Sequence, residues 1–243
     1  MLRLASSVNL LRQAFSRHAF SRQVFSQAAL AAGFFLSLLV TAHAEALSPE
    51  TAPTGTYVYQ VMRDGEVVGE QRADFERRGN DLSVITDVRI NVTLLGISVY
   101  DFSQRIEEKW AQGVLMELRS DADDDGNHRT VRLARNGERL VGSYDGKERD
   151  LPGYLIPTTL WNSAAVGHSA VLDTVRGRER DVRVEDKGME QLKLPIGTIQ
   201  ARHYVFTGEF NREVWYDESG VLVAGQLEAK DGSIIRQELL RMP

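Results

Sequence analysis

Residues 82–110 read LSVITDVRINVTLLGISVYDFSQRIEEKW, and how this stretch is read decides the fold. Leu82, Val84, Val88, Ile90, Val92 and Leu94 fall at every second position, with Thr86 in the single gap. Ser83, Asp87, Arg89, Asn91 and Thr93 fill most of the positions between. Side chains alternate faces along a strand, so this beat gives one apolar and one polar face. Leu95-Gly96 then separates a second run, in which Tyr100, Phe102 and Ile106 share a face. Thirteen residues from Leu82 to Leu94 span roughly 40 Å at about 3.3 Å each, long for a strand and typical of a strongly curved wall.

The same beat recurs outward from this pair. Tyr57–Arg63 is followed by Asp64-Gly65, a strong hairpin signal, and then by Val67, Gly69, Ala73 and Phe75. Downstream lie Val114–Arg119, Thr130–Arg135 and Leu140–Tyr144, the last between Asn136-Gly137 and Asp145-Gly146. Further runs are Val171–Val175, Asp181–Glu185, Glu190–Leu194, Thr198–Thr207, Glu213–Tyr216, Val221–Ala229 and Ser233–Leu240. Lys187-Gly188 is read as a turn between two of them. Leu151–Gly167 breaks the beat, and Pro157 with Thr158 or Thr159 predicts a short helix over about 158–166 that plugs one opening of the sheet. The expected fold is all-β: a large curved antiparallel sheet or half-open barrel with that one helix.

The amino end has a different chemistry. Arg3, Arg12, Arg17 and Arg22 precede the apolar run Ala28–Val40 and the small-residue site Ala42-His43-Ala44, and the first acid is Glu45. This order predicts a secretory signal over 1–44, cleaved near Ala44 for export to the periplasm or beyond. The five-residue spacing of the arginines scatters them round a helix, unlike an amphipathic import presequence. The apolar segment is also too short for an uncleaved anchor. Residues 45–54 read as a flexible start, and 55–243 as a single β domain. Of 29 Lys and Arg, 25 remain after residue 44 against 34 Asp and Glu, a net charge near −9 that repels nucleic acid. The absence of cysteine excludes disulfides, thiolate metal sites and a lipid-modified cysteine, so no stable membrane anchor is expected.

Catalytic and metal motifs are incomplete. Asp121, Asp123, Asp125 and Gly126 match the front of a calcium loop, but Arg132 stands where its bidentate carboxylate belongs. Gly167-His168-Ser169-Ala170-Val171 lacks the second glycine of a nucleophile elbow. His128, His168 and His203 are unpaired at ligand spacing, so neither a cofactor nor a metal is expected. The aromatic residues carry more. Trp110, Trp161, Trp215 and Tyr216 are the candidates for lining an apolar cavity, with Glu107 and Asn162 as polar orienting groups. Plain core filling is the competing role for each.

Tyr57-x-Tyr59 with Asp64-Gly65 and Gly69, Glu107-x-x-Trp110-x-x-Gly113, the Asp-rich turn, Trp161-Asn162, Trp215-Tyr216-Asp217 with Gly220, and Asp231-Gly232 occur here in one order and spacing. On these motifs the chain resembles an uncharacterised family of exported bacterial all-β proteins, classed as a domain of unknown function. That family is similar to periplasmic proteins with lipoprotein-carrier-like curved sheets. The resemblance implies a half-barrel wrapped on a helix that receives a lipid or other apolar small molecule. It brings no established activity. Three functions remain open: a non-enzymatic binder of an apolar ligand or envelope partner, a hydrolase or lyase using carboxylates and His203, and a filled-core interaction scaffold.

Overall fold

The first half of the chain is a meander of eight antiparallel strands: β1 (Gly55–Arg63), β2 (Glu66–Arg78), β3 (Asp81–Leu94), β4 (Ile97–Ala111), β5 (Val114–Asp124), β6 (Asn127–Asn136), β7 (Arg139–Tyr144) and β8 (Lys147–Pro152). The second half supplies β9 (Ile156–Pro157), β10 (Ala170–Asp173), β11 (Arg178–Leu194), β12 (Gly197–Gly208), β13 (Arg212–Asp217), β14 (Leu222–Glu228) and β15 (Ile234–Arg241). This computed structural model describes residues 52–243; the signal reading over 1–44 and most of segment 45–54 lie outside the described residues. Ala52 and Pro53 are buried, and the Arg77 guanidinium of β2 donates to the Ala52 carbonyl at 3.0 Å.

Tight turns set the registers. Asp64-Gly65, Leu95-Gly96, Asp125-Gly126 and Asp145-Gly146 each have φ between 47° and 88° at both central positions, the left-handed pair that suits the right-handed twist of a hairpin. The predicted long pair is present as β3 and β4, matched from Asp81↔Ala111 to Leu94↔Ile97 with one irregularity after Val92. Lys187-Gly188 is a bulge inside the 17-residue β11 rather than a turn: pairing with β12 slips between Asp186 and Gly188, and the Gly188 amide donates to Asp186 Oδ1.

All fifteen strands form one sheet, ordered β8-β7-β6-β5-β4-β3-β2-β1-β15-β14-β13-β12-β11-β10-β9. Its two edges, β8 and β9, are joined by only residues 153–155. Fifteen strands laid flat would place those edges roughly 70 Å apart, whereas such a link reaches no more than about 14 Å. The sheet is therefore forced to roll up on itself. Side chains complete the seam: Arg149 Nε donates to the Gly177 carbonyl at 3.0 Å, and the Tyr154 hydroxyl donates to Glu179 at 3.0 Å. The link is pinned where it leaves β8, because Arg135 donates to the Gly153 carbonyl and the Gly153 amide to Glu138.

The helix expected over about 158–166 is not formed. Pro157 lies in β9, paired in parallel with Leu172 of β10, and extended chain continues to Asn162. Only Ser163–Gly167 turns, as a single 3-10 segment capped by Asn162, whose Oδ1 accepts from the Ala164 amide. The plug itself exists. Leu155, Ile156, Leu160, Trp161, Ala165 and Leu172 are buried in the main core with Phe75, Leu82, Val84, Trp110, Leu118, Val131 and Phe206. A second apolar cluster joins Tyr59, Leu194, Ala201, Trp215, Val223, Ala224 and Leu239. The two clusters use alternate residues of β13: Val214 and Tyr216 belong to the first, Trp215 to the second.

Candidate functional site

On β4, Gln104, Ile106, Glu108 and Trp110 point alternately inward, and Glu108 is only 1% exposed. Its carboxylate meets the plug. The indole N–H groups of Trp110 and Trp161 both donate to Oε2 at 2.9 Å, and the Thr159 hydroxyl donates to Oε1 at 2.7 Å. Burial pushes the Glu108 carboxyl above its ordinary value, and these three donors oppose that push. The indoles stack edge to face at 5.3 Å, and Phe75 packs edge-on against Trp161 at 5.5 Å. From the opposite wing of the sheet, the Tyr216 hydroxyl donates to the Leu160 carbonyl at 2.7 Å, and burial raises its phenol. Higher up, Gln104 donates to Ser120 and Thr174, and Thr174 contacts Thr158 at 3.2 Å. Both wings thus grip one buried segment through satisfied polar groups.

The structure brings four of the six predicted residues together in this core: Trp110, Trp161, Tyr216 and Asn162. Trp161, Tyr216 and Asn162 fill the roll, and so does Trp110 apart from one edge that reaches a shallow depression. Glu107 is displaced from the orienting role by one position, because strand alternation turns it outward to Arg105 at 3.1 Å and sends Glu108 inward. Trp215 sits on the other face, donating to Glu190, with the His203 ring stacked at 4.3 Å and the Arg236 guanidinium 5.0 Å from its centroid. His203 Nε2 and Glu213 Oε2 lie 2.9 Å apart there, yet neither residue borders a described depression. Ser169 is exposed, and among the described residues its hydroxyl has no hydrogen bond to a base. Asp121 pairs with Arg132 at 2.7 Å, Asp123 accepts from the Gly126 amide, and the acidic turn is a hairpin tip. No cluster of three or more His, Asp or Glu able to hold a metal occurs among the described residues.

The motif reading missed the opposite end of β3 and β4. The apolar face that is fully buried at Leu82, Val84 and Ile106 continues as Val88, Ile90, Val92, Tyr100 and Phe102, which are only partly covered. Beside it lies a shallow depression of about 500 Å³ whose apolar lining is Val67, Val68, Gly69, Ile90 and Phe102. Gly69 faces Ile90 across the β2–β3 ladder, and a Cβ there would stand 2.0 Å from the Arg89 carbonyl oxygen. The Tyr100 hydroxyl donates to Asp124 at 3.0 Å, and burial beside that carboxylate pushes the phenol up to about 12. A second depression of about 300 Å³ reaches Trp110 at the other end, between the charged Arg78 and Lys109. The signal for the first lay in the sequence: no residue from Asn91 to Tyr100 is charged.

Residues 59–240 match the family described as Domain of unknown function (DUF6134), and the chain belongs to that family. None of the curated proteins matches it. Among solved structures it is similar to the beta-barrel-like protein of domain of unknown function DUF1849 from Brucella abortus, with a TM-score of 0.57 over 76% of this chain and 95% of that one. At 11% identity the likeness is one of fold, and it agrees with the rolled sheet described above.

Proposed function

We propose that this chain is a non-enzymatic envelope protein that binds an apolar ligand of lipid-chain type on the uncovered inner face of β2, β3 and β4. One observation carries the reading. The apolar face of β3 and β4 is longer than the plug that covers it, leaving Val88, Ile90, Val92, Tyr100 and Phe102 without a complete packing partner. Fully burying an exposed side chain of this kind is favourable by about 1.5–3 kcal/mol, and a ligand chain laid along the row gains the share of that which the open part of each residue still holds. The basic leader, its apolar run and Ala42-His43-Ala44 support export and work in the periplasm or outside the cell.

Native mass spectrometry of protein taken from the periplasm, followed by solvent extraction, tests both halves of the reading. The expected result is a chain starting near Glu45 with a co-purifying lipid mass. Phe102→Asp and Ile90→Asp should each lower the affinity for a fluorescent fatty acid at least tenfold while leaving the thermal midpoint within a few degrees. Protein that emerges ligand-free and fails to bind fluorescent fatty acids overturns the reading.

A further inference from the structure

We propose that the β3–β4 hairpin is a docking arm that seats the protein on a zwitterionic phospholipid surface, with Leu95, Ile97 and Val99 entering the acyl boundary. This goes beyond ligand binding on the inner face, and either can fail without the other. The arm is free-standing. β2 pairs with β3 only as far as Gly69↔Ile90, and β5 pairs with β4 only as far as Phe102↔Asp124. Asn91–Tyr100 therefore projects past both neighbours, held as a ribbon by Val92↔Tyr100, Thr93↔Ser98 and Leu94↔Ile97. At about 3.3 Å per residue it extends roughly 15 Å.

Its composition is the reverse of a soluble hairpin tip. NVTLLGISVY carries no charge in a chain that is 26% charged. Leu95 is 95% exposed, Ile97 68% and Val99 52%, with Val67 at the start of β2 65% exposed. Leu95 also holds φ at 52°, the left-handed region that β1–β2, β5–β6 and β7–β8 give to Asp at the same turn position. A bare leucine in that conformation is unfavourable twice over, once for the backbone and once for the apolar surface in water.

Size and charge select the occupant. Three side chains at a convex apex are far too few for a protein interface, which buries upward of about 1,000 Å². They suit insertion to the 5–10 Å or so typical of an interfacial element. Behind the tip, Glu70, Arg89 and Asp101 border the depression, with Arg63, Asp64 and Glu66 at the adjoining turn. An apolar point ringed by both signs of charge matches hydrocarbon ringed by zwitterionic headgroups, whereas the excess of acid disfavours an anionic surface. Depth is limited to the tip, because among the described residues the ribbon's outer backbone edges pair with no neighbouring strand beyond Ile90 on one side and beyond Asp101, which accepts from the Asp125 amide, on the other.

The test is co-sedimentation of the purified protein with phosphatidylcholine vesicles, and separately with phosphatidylglycerol vesicles, across a range of salt. The proposal expects binding to phosphatidylcholine that is insensitive to salt. A Leu95→Asp/Ile97→Asp chain should lose at least tenfold in partitioning while keeping its thermal midpoint and its fatty-acid affinity. A Leu95→Trp chain should show a blue-shifted emission on vesicles, quenched by brominated acyl chains. Wild type left in the supernatant, binding confined to anionic vesicles, or equal binding by the Asp double variant would each overturn it. So would wild type that self-associates through the arm without lipid, while the double variant stays monomeric.

Discussion

The two ends of the β3–β4 pair are built from one sequence pattern and meet opposite fates. At the Leu82–Trp110 end the inner face is covered by the plug, and polar groups are buried there with partners: Glu108 by Trp110, Trp161 and Thr159, and Leu160 by Tyr216. At the turn end Leu95, Ile97 and Val99 stand uncovered and the charges lie behind them. A two-residue beat therefore dictates that a strand forms and which side faces inward, but not how far the interior extends. The plug decides that, and it stops short of the arm.

Glu108→Ala should give the largest effect. It strands two indole N–H groups and a hydroxyl in the core and leaves a cavity, so a loss of about 3–5 kcal/mol in a urea melt is expected. The arm should be indifferent, with fatty-acid affinity unchanged under conditions where the variant is folded. Glu108→Gln keeps the shape and one acceptor and should lose less. It also separates the pH behaviour of the two ends. Burial raises the native Glu108 carboxyl above its unfolded value, so the native state holds that proton more tightly. Its stabilising contribution is full below the ordinary carboxylate range, about 4.3, and declines as pH rises toward the native value. Asp74 and Glu117, held low by Arg72 and Lys109, act in the reverse sense and lose their contribution as pH falls through their depressed native values. Stability of wild type minus that of Glu108→Gln should therefore decline from acid toward neutral pH; a flat difference would mean that Glu108 does not titrate in the core.

Gly69→Ala comes next, at about 1–3 kcal/mol, because its Cβ would stand against the Arg89 carbonyl and pry β2 from β3. The damage should be local to the root of the arm. Amide exchange ought to quicken at Val88 and Ile90 while Leu118 and Val131 keep their protection. Uniform loss across both ends would mean that the arm and the plugged core unfold as one unit, contrary to the comparison.

Period two made the sheet legible, and Asp-Gly and Asn-Gly pairs placed several of its turns. The 3-10 segment was misjudged because capping residues and small apolar ones occur equally in a plug, whose conformation is set by Glu108 and Tyr216 rather than by local propensity. Of the site, the indoles were legible as inward aromatics, but their partner was assigned to Glu107 because parity within Glu107-Glu108 depends on pairing register. The arm was not recognised for a related reason. Leu95 and Ile97 leave the even-numbered beat of Leu82–Leu94 but merge with its apolar run, and a sequence pattern carries no mark of where neighbouring strands end.

The smallest effect carries the opposite sign. Leu95→Asn places at the first central turn position a residue that tolerates φ near 52° and forms Asn-Gly with Gly96. It also removes an apolar side chain that is almost wholly in water. Wild type should therefore be the less stable of the two, by about 0.5–1 kcal/mol, which in a chain of this length raises the melting midpoint by about 2 °C. Core substitutions destabilise almost without exception, so a gain here would separate the arm from the core in kind as well as in degree. A loss would show that Leu95 is packed in the folded protein in solution, and the arm would then belong with the plugged end rather than against it.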